Sequence, residues 1–307
     1  MWRFIGQRLV GTIPVLLGIT VLVFLILYLM PGSPAQTLLF GKNATPEQVA
    51  QLNHQLGLDR PLAVQYVSYL GDVVRGDFGT SYATQRDVGS EIRSQFPSTL
   101  LLAAAGMAVA LLIGIPAGIL AAVKRGSWID SFATGFSVLG VAIPNFWLAI
   151  LLMLLFSVEL NWFPVLGQGS FRAIVLPAIS LGWGFASIIT RLVRANMIEV
   201  LHQPYVTTAR AKGLREMSIV FRHALRNAFI PVLTIIGLQI ANLLSGAVVI
   251  ESIFARQGIG ALAVRGIQSK DVPLVQGVVI VVAIIYVVIN LLVDLGYALL
   301  DPRVRNA

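Results

Sequence analysis

The sequence contains no cysteine and only three histidines, and 12% of its 307 residues are charged. An ordinary soluble domain is roughly 25% charged. The missing cysteine excludes a disulfide scaffold and any zinc site or nucleophile built on a thiolate. His54, His202 and His223 are scattered along the chain without an HExxH pattern, so a metal-dependent membrane enzyme finds no support. A GxxxxGK[ST] phosphate loop is also missing: Gly41-Lys42-Asn43 lacks the earlier glycine and the hydroxyl residue. The chain therefore has no such route to ATP, and any energy for work comes from a partner or an ion gradient.

What is present is apolar. Hydrophobic residues make up 57% of the chain, and six stretches carry no Asp, Glu, Lys or Arg: 9–41, 94–123, 131–158, 173–190, 227–250 and 272–290, the last continuing past Asp294 to residue 300. About 20 mainly apolar residues cross the roughly 30 Å of a bilayer core as a helix. The runs lack the alternation of barrel strands. They predict an all-α, polytopic membrane protein with six transmembrane helices. The first run is longer than the roughly 7–15 residues of a signal-peptide core, so it is expected to stay as an anchor.

Six spans put both termini on one side, with residues 1–8, 124–130, 191–226 and 301–307. That side holds thirteen Lys and Arg, against four in the short loops opposite. The positive-inside rule makes it cytoplasmic. With Asp294, near the inner end of the sixth run, it also holds five acids (Asp130, Glu199, Glu216, Asp294 and Asp301), so it carries the whole net charge of +8 while the exterior sums to zero. Membrane topology thus accounts for the basic balance, and no nucleic-acid partner is expected.

Two loops are large. In the exterior loop, 31–97, Thr45 can cap a helix with Pro46 in its first turn, ended by Gly57; residues 61–74 form a second amphipathic stretch, broken by Gly76-Asp77-Phe78-Gly79. This is a small helical cap without a catalytic cluster, and His54 reads as a surface histidine. In the cytoplasmic loop, Pro204 opens a new element. Thr207 or Thr208 can cap a short helix that Gly213 ends, and a second helix begins near Glu216. Such a short helix between longer ones suits partner docking; a basic loop holding lipid headgroups fits the pattern equally well.

The string Tyr205-Val206-Thr207-Thr208-Ala209-Arg210-Ala211-Lys212-Gly213-Leu214, followed by His223-Ala224-Leu225-Arg226-Asn227-Ala228, resembles the cytoplasmic loop of binding-protein-dependent ABC importer permeases. It is most similar to the first permease subunit of the dipeptide/oligopeptide/nickel branch. Met30-Pro31-Gly32-Ser33-Pro34, Leu56-Gly57-Leu58-Asp59-Arg60-Pro61, Gly76-Asp77-Phe78-Gly79 and Asp301-Pro302-Arg303-Val304-Arg305 carry the same resemblance along the chain. Thr207 stands where the general family pattern has Glu, and Arg226 where it has Pro.

The resemblance implies a type I ABC importer permease fold. It implies a second homologous permease subunit, two cytoplasmic ABC ATPase subunits that bind ATP and magnesium, and an extracytoplasmic substrate-binding protein. This chain itself is expected to bind no cofactor or metal and to catalyse nothing. Dipeptides or oligopeptides are the expected substrate; glutathione and nickel chelates stay open, and an ion-coupled secondary transporter is the other class. That class calls for internal repeats and mid-membrane carboxylates, and the spans show neither.

The expected organisation is 1–30 for the N-terminus and first span, 31–97 for the cap, 98–300 for the permease core with a coupling loop at 195–226, and 301–307 for the tail. Tyr205, Thr207, Thr208, Ala209, Arg210, Ala211, Lys212, Gly213, Leu214 and Arg215 are expected to engage the ATPase. Arg210, Lys212 and Arg215 suit acidic groove residues. Asn145, Gln239, Asn242 and Asn290 are candidates for the translocation path, since polar groups at such depth usually face water or a bundle interior. Helix-to-helix hydrogen bonding is the alternative role. Pro144 is expected to kink the third span, and 114–118 to form a close-packing face. The cap and the loop at 251–271 are candidate docking sites for the binding protein, with 254–260 read as a glycine-rich turn.

Overall fold

A computed structural model describes residues 2–28, 45–55 and 57–300. In chain order the helices are α1 (Trp2–Tyr28), α2 (Pro46–Gln55), α3 (Leu62–Arg75), α4 (Val88–Val123), α5 (Trp128–Ala142), α6 (Asn145–Leu152), α7 (Phe171–Leu201), α8 (Pro204–Ala211), α9 (Leu225–Ile253), α10 (Ile259–Gln268) and α11 (Val272–Leu300). A π-helical stretch, Met153–Glu159, continues α6. A single turn, Glu216–Ser218, and a second π-helical stretch, Ile219–Ala224, lead into α9. Among the described residues the only β pairing is an isolated bridge between Thr80 and Asp87.

The chain divides into two compact units. The first comprises residues 1–97 and 258–288. Here α2 begins with a reciprocal cap: the Thr45 N–H donates to Gln48 Oε1 at 3.0 Å, and the Gln48 N–H to Thr45 Oγ1 at 3.4 Å. This satisfies two N–H groups that a helix start leaves unpaired. Gly57 and Gly76 end α2 and α3 at φ of 68° and 78°, a left-handed conformation that costs glycine little. As expected, His54 is exposed; its Nδ1 lies 2.6 Å from Asp59 Oδ2 and holds that carboxyl below its ordinary pKa. The core of this unit joins Val88 and Ile92 of α4 to Ile259 and Leu262 of α10 and to Leu274 and Val278 of α11. A cavity of about 800 Å³ lies within the unit among Asn53, Arg60, Tyr69, Asp72, Phe78 and Gln276.

The second unit comprises residues 98–257 and 289–307. Its centre is α7, with Leu181, Ala186, Ile189, Val193 and Met197 buried. The expected close-packing face on α4 meets it. A Cβ built on Gly114 would lie 2.7 Å from the Ala186 carbonyl, and one on Gly118 2.7 Å from that of Thr190. Gly140 of α5 approaches as closely, since its Cβ would fall 2.6 Å from Ser187 Cβ. Small residues let backbones touch where apolar burial gives no preference over lipid.

Where the six apolar runs lie within the described residues they fall mainly on helices, but they are not six uninterrupted spans; residues 29–41 of the first run lie outside the described residues. Val88–Val123, Phe171–Leu201 and Val272–Val293 are long and apolar enough to cross a membrane unbroken. The third run is broken: Trp128–Ala142 and Asn145–Glu159 meet at 104°. Pro144 has no N–H to give, and it pushes Ile143 into extended backbone with ψ of 119°. The kink expected at Pro144 is a sharp one, turning the chain by slightly more than a right angle. The fifth run bends by 49° at Pro231, and the first contributes the shorter apolar segment Val10–Leu25. The turn expected at 254–260 extends only to Gly258, because α10 follows it.

Candidate functional site

The segment from Leu201 to Phe221 is built on one buried stripe. Val206 and Ala209, three residues apart on α8, pack with Ile219 and Leu201. Pro204 occupies the first turn and Gln203 caps it in extended conformation, so Thr207 and Thr208 lie inside the helix. This corrects the expectation that either threonine caps it. A proline at the first turn needs no N–H partner, which moves the start forward. Thr208 Oγ1 instead bonds back to the Pro204 carbonyl at 3.0 Å. Gly213 turns the chain with φ of 76°, and the Leu214 N–H returns to the Ala209 carbonyl at 3.3 Å.

With Val206, Ala209 and Ile219 inward, most of the segment between them faces out. Thr207, Thr208, Arg210, Ala211, Lys212, Gly213, Leu214 and Arg215 are exposed, and so are the large apolar side chains Met217 and Phe221. Tyr205 is anchored: its hydroxyl accepts from Asn227 Nδ2 at 2.8 Å. Arg210 is paired within the segment: its Nε and Nη2 donate to Glu216 at 2.8 and 3.4 Å. Glu216 also raises the guanidinium's pKa. Lys212 and Arg215 have no ion pair among the described residues.

The four polar span residues do not form one network. Asn242 Nδ2 donates to Gln239 Oε1 at 2.7 Å, with Gln239 buried and Asn242 exposed. Asn145 is half-buried just past the break at Pro144, beside Gly184 of α7. Asn290 is half-buried on α11. No hydrogen bond joins Asn145 or Asn290 to the Gln239–Asn242 pair among the described residues. The Asp294 side chain lies outside the described residues.

Residues 114–306 match the family described as binding-protein-dependent transport system inner membrane component, and residues 1–103 match the N-terminal domain of such components. The chain belongs to this family. It is therefore an ABC importer permease, a subunit that works with an ATPase and a substrate-binding protein. The glutathione transport system permease protein GsiC of Salmonella typhimurium is 43% identical over 305 residues, 99% of each chain. The protein of that name from Escherichia coli K12 is 41% identical over the same share. In a solved structure of the MetNI methionine ABC transporter, in inward-facing conformation, one chain aligns with a TM-score of 0.54 at 20% identity. That alignment covers 68% of this chain and 94% of the other. At that identity it bears on the fold alone, and the fold is that of a type I importer permease.

Two features of the permease went unread in the sequence. Asp130 and Arg194 form a paired clamp between α5 and α7, though each looked like an ordinary loop charge. Arg256 is 4% exposed and Glu251 fully buried, although both stand in a loop expected to face water. No periodic signal marks either; the positions that bury them come from three separate helices.

Proposed function

We propose that this permease forms one half of the pore of an importer for small peptides, glutathione among them. The full-length likeness to permeases named for glutathione transport supports the substrate class. A second, similar permease would complete the pore. Two ATPase subunits, holding ATP and magnesium, would dock on the cytoplasmic side, where both termini lie in this reading. A binding protein would deliver the peptide from outside, onto the cap and the 251–271 loop.

The observation that carries the coupling role is the outward face of α8 and the turn after it. Exposed Leu214, Met217 and Phe221 beside Lys212 and Arg215 suit a partner groove that is apolar at its centre and acidic at its rim. ATP-driven closure of the ATPases would push α8, and α7 and α9 on either side would carry the movement into the membrane. This is rigid-body alternating access between two packings.

The test uses the complex reconstituted in liposomes. Wild type should accumulate labelled glutathione with ATP and binding protein present. Ala211→Trp places a bulky ring on the exposed face of α8 without touching Val206 or Ala209. It should abolish uptake and strip the ATPase from the purified permease. Unchanged uptake and unchanged ATPase retention would remove α8 from the coupling role.

A further inference from the structure

Arg256 follows the end of α9 and is 4% exposed, yet it is poorly satisfied. Its Nη1 donates to the Ala173 carbonyl and its Nη2 to Ser98 Oγ, both at 3.4 Å. Its Nε has no partner among the described residues. A guanidinium bonded to a carboxylate typically shows distances of about 2.7–2.9 Å, often two at once. Among the described residues this buried cation makes two long bonds to neutral acceptors and has the Glu251 charge near it, an arrangement that leaves donors for a further acceptor. Burial pushes its pKa down, and the nearby Glu251 pushes it back up. Glu251 is itself engaged, accepting from Thr99 Oγ1 at 2.5 Å.

The guanidinium lies one side chain below the surface. Ser98, to which Nη2 donates, passes its own hydroxyl hydrogen to Gln168 Oε1 at 3.2 Å. The exposed Gln168 also meets Gln257 twice: its Nε2 donates to Gln257 Oε1 at 3.3 Å, and its Oε1 accepts from the Gln257 N–H at 3.2 Å. Through the Ser98 hydroxyl, the fork of N–H donors is thus linked to two exposed neutral amides. These bonds are long, neutral and partly in water, so an anionic ligand displaces them at little cost.

We infer that Arg256, with Gln168 and Gln257 linked to it through Ser98, is a carboxylate-recognition site for the C-terminus of the transported peptide. This rests on the peptide-import reading and on the proposed topology, which turns this end of α4, α7 and α9 outward. The outer end of the permease would open when the binding protein docks. Gln168 and Gln257 would part, and the peptide carboxylate would take both edges of the guanidinium in place of Ser98 and Ala173. A neutral peptide end would leave the fork unfilled.

The experiment measures ATP-driven uptake by the reconstituted complex of two probes: glutathione and its analogue amidated at the glycine carboxylate. For wild type the free acid should be taken up faster. Arg256→Gln should lower uptake of the free acid by about tenfold or more, the loss expected for a charge-assisted pair, and leave that of the amide within about twofold. Equal losses for both probes would mean that Arg256 only ties helix ends together, and the inference would fall. Should Arg256→Gln not assemble with the ATPase, Arg256→Lys takes its place, keeping the charge but not the fork. The same selective loss is expected of it, and an equal loss overturns the site. Failure of wild type to import either probe would instead overturn the peptide-import reading, and this ligand assignment with it.

Discussion

Arg194 holds Asp130 through two parallel bonds, Nε to Oδ1 at 2.5 Å and Nη2 to Oδ2 at 2.9 Å. The Gly126 N–H adds a third to the same carboxylate at 3.0 Å. The clamp fastens the first turn of α5 to the last third of α7. Since α5 ends at the break before Pro144, the clamp holds one end of a short helix whose other end turns sharply, by 104°.

Asp130→Asn should therefore destabilise the permease. Breaking a buried ion pair costs roughly 3–5 kcal/mol. Here the Arg194 side chain is 30% exposed, which brings the expectation to roughly 1–3 kcal/mol. Thermal unfolding in detergent reads it as a lower Tm. The double variant Asp130→Asn/Arg194→Gln should lose less than the two single losses combined, because the second substitution removes a charge already stranded. Strict additivity would show that the clamp does no joint work.

Gly140 and Ser187 form the tightest of the helix contacts. A Cβ on Gly140 would collide with Ser187 Oγ as well as its Cβ. Gly140→Ala should force α5 off α7 and cost about 1–3 kcal/mol or more. Adding Ser187→Gly removes both colliding atoms and should restore much of the Tm, less about 0.5–1 kcal/mol for glycine inside a helix. Failure of the second substitution to rescue the first would mean the collision is not the cause.

Asp271 is fully buried and fastens a loop to a helix start. It accepts from Ser81 Oγ at 2.6 Å, the Ala83 N–H at 3.0 Å and the Leu274 N–H at 3.2 Å. Asp271→Ala strands those donors, at about 1–3 kcal/mol for each buried one. Residues 81–87 should become open to protease while the rest of the chain resists.

Tyr82 beside it gives a spectroscopic handle. Burial first, and then the Asp271 charge, push its phenol up to about 12. The ordinary value is about 10. A raised folded pKa means that the folded state keeps its proton longer, so this share of stability is whole below about pH 10 and is lost as pH rises toward about 12. Asp271→Asn should lower the midpoint of phenolate absorbance only partly, because burial remains. A midpoint that does not move would exclude Asp271 as a cause.

The native chain has no cysteine to compete with an introduced one. If Gln239 and Asn242 line the path, cysteines at both positions in the assembled complex should change their maleimide labelling rates several-fold when ATP is added. Cysteines at Gln239 and Asn290 that stay unreactive in every transport state would remove both from the path.

Much of the local structure was legible. Thr45, Pro46 and Gln48 announce the start of α2, and Gly57, Gly76 and Gly213 mark ends that need φ above zero, because caps and left-handed turns depend on a few neighbouring residues. The start of α8 was misread because Thr207 and Thr208 looked like caps while Pro204 already supplied the first turn. Helix α10 was hidden by its glycines, although Ile259, Leu262, Ala263 and Gly266 recur at helical spacing. That stripe could have been found, since three of those four residues are buried.

By itself, then, the sequence determined where apolar helices run, which loops carry charge, and the family to which the chain belongs. All of these follow from composition and from contacts within a few residues. Only the tertiary structure decided that the third run turns through 104° at Pro144, that Arg210 pairs with Glu216, and that Asp130 and Arg256 lie at helix junctions instead of in water. A charge in a loop reads the same in sequence whether it meets solvent or a carboxylate 64 residues away. Its desolvation and its partner are set by how the helices pack, and packing through touching glycines leaves no periodic trace to read in advance.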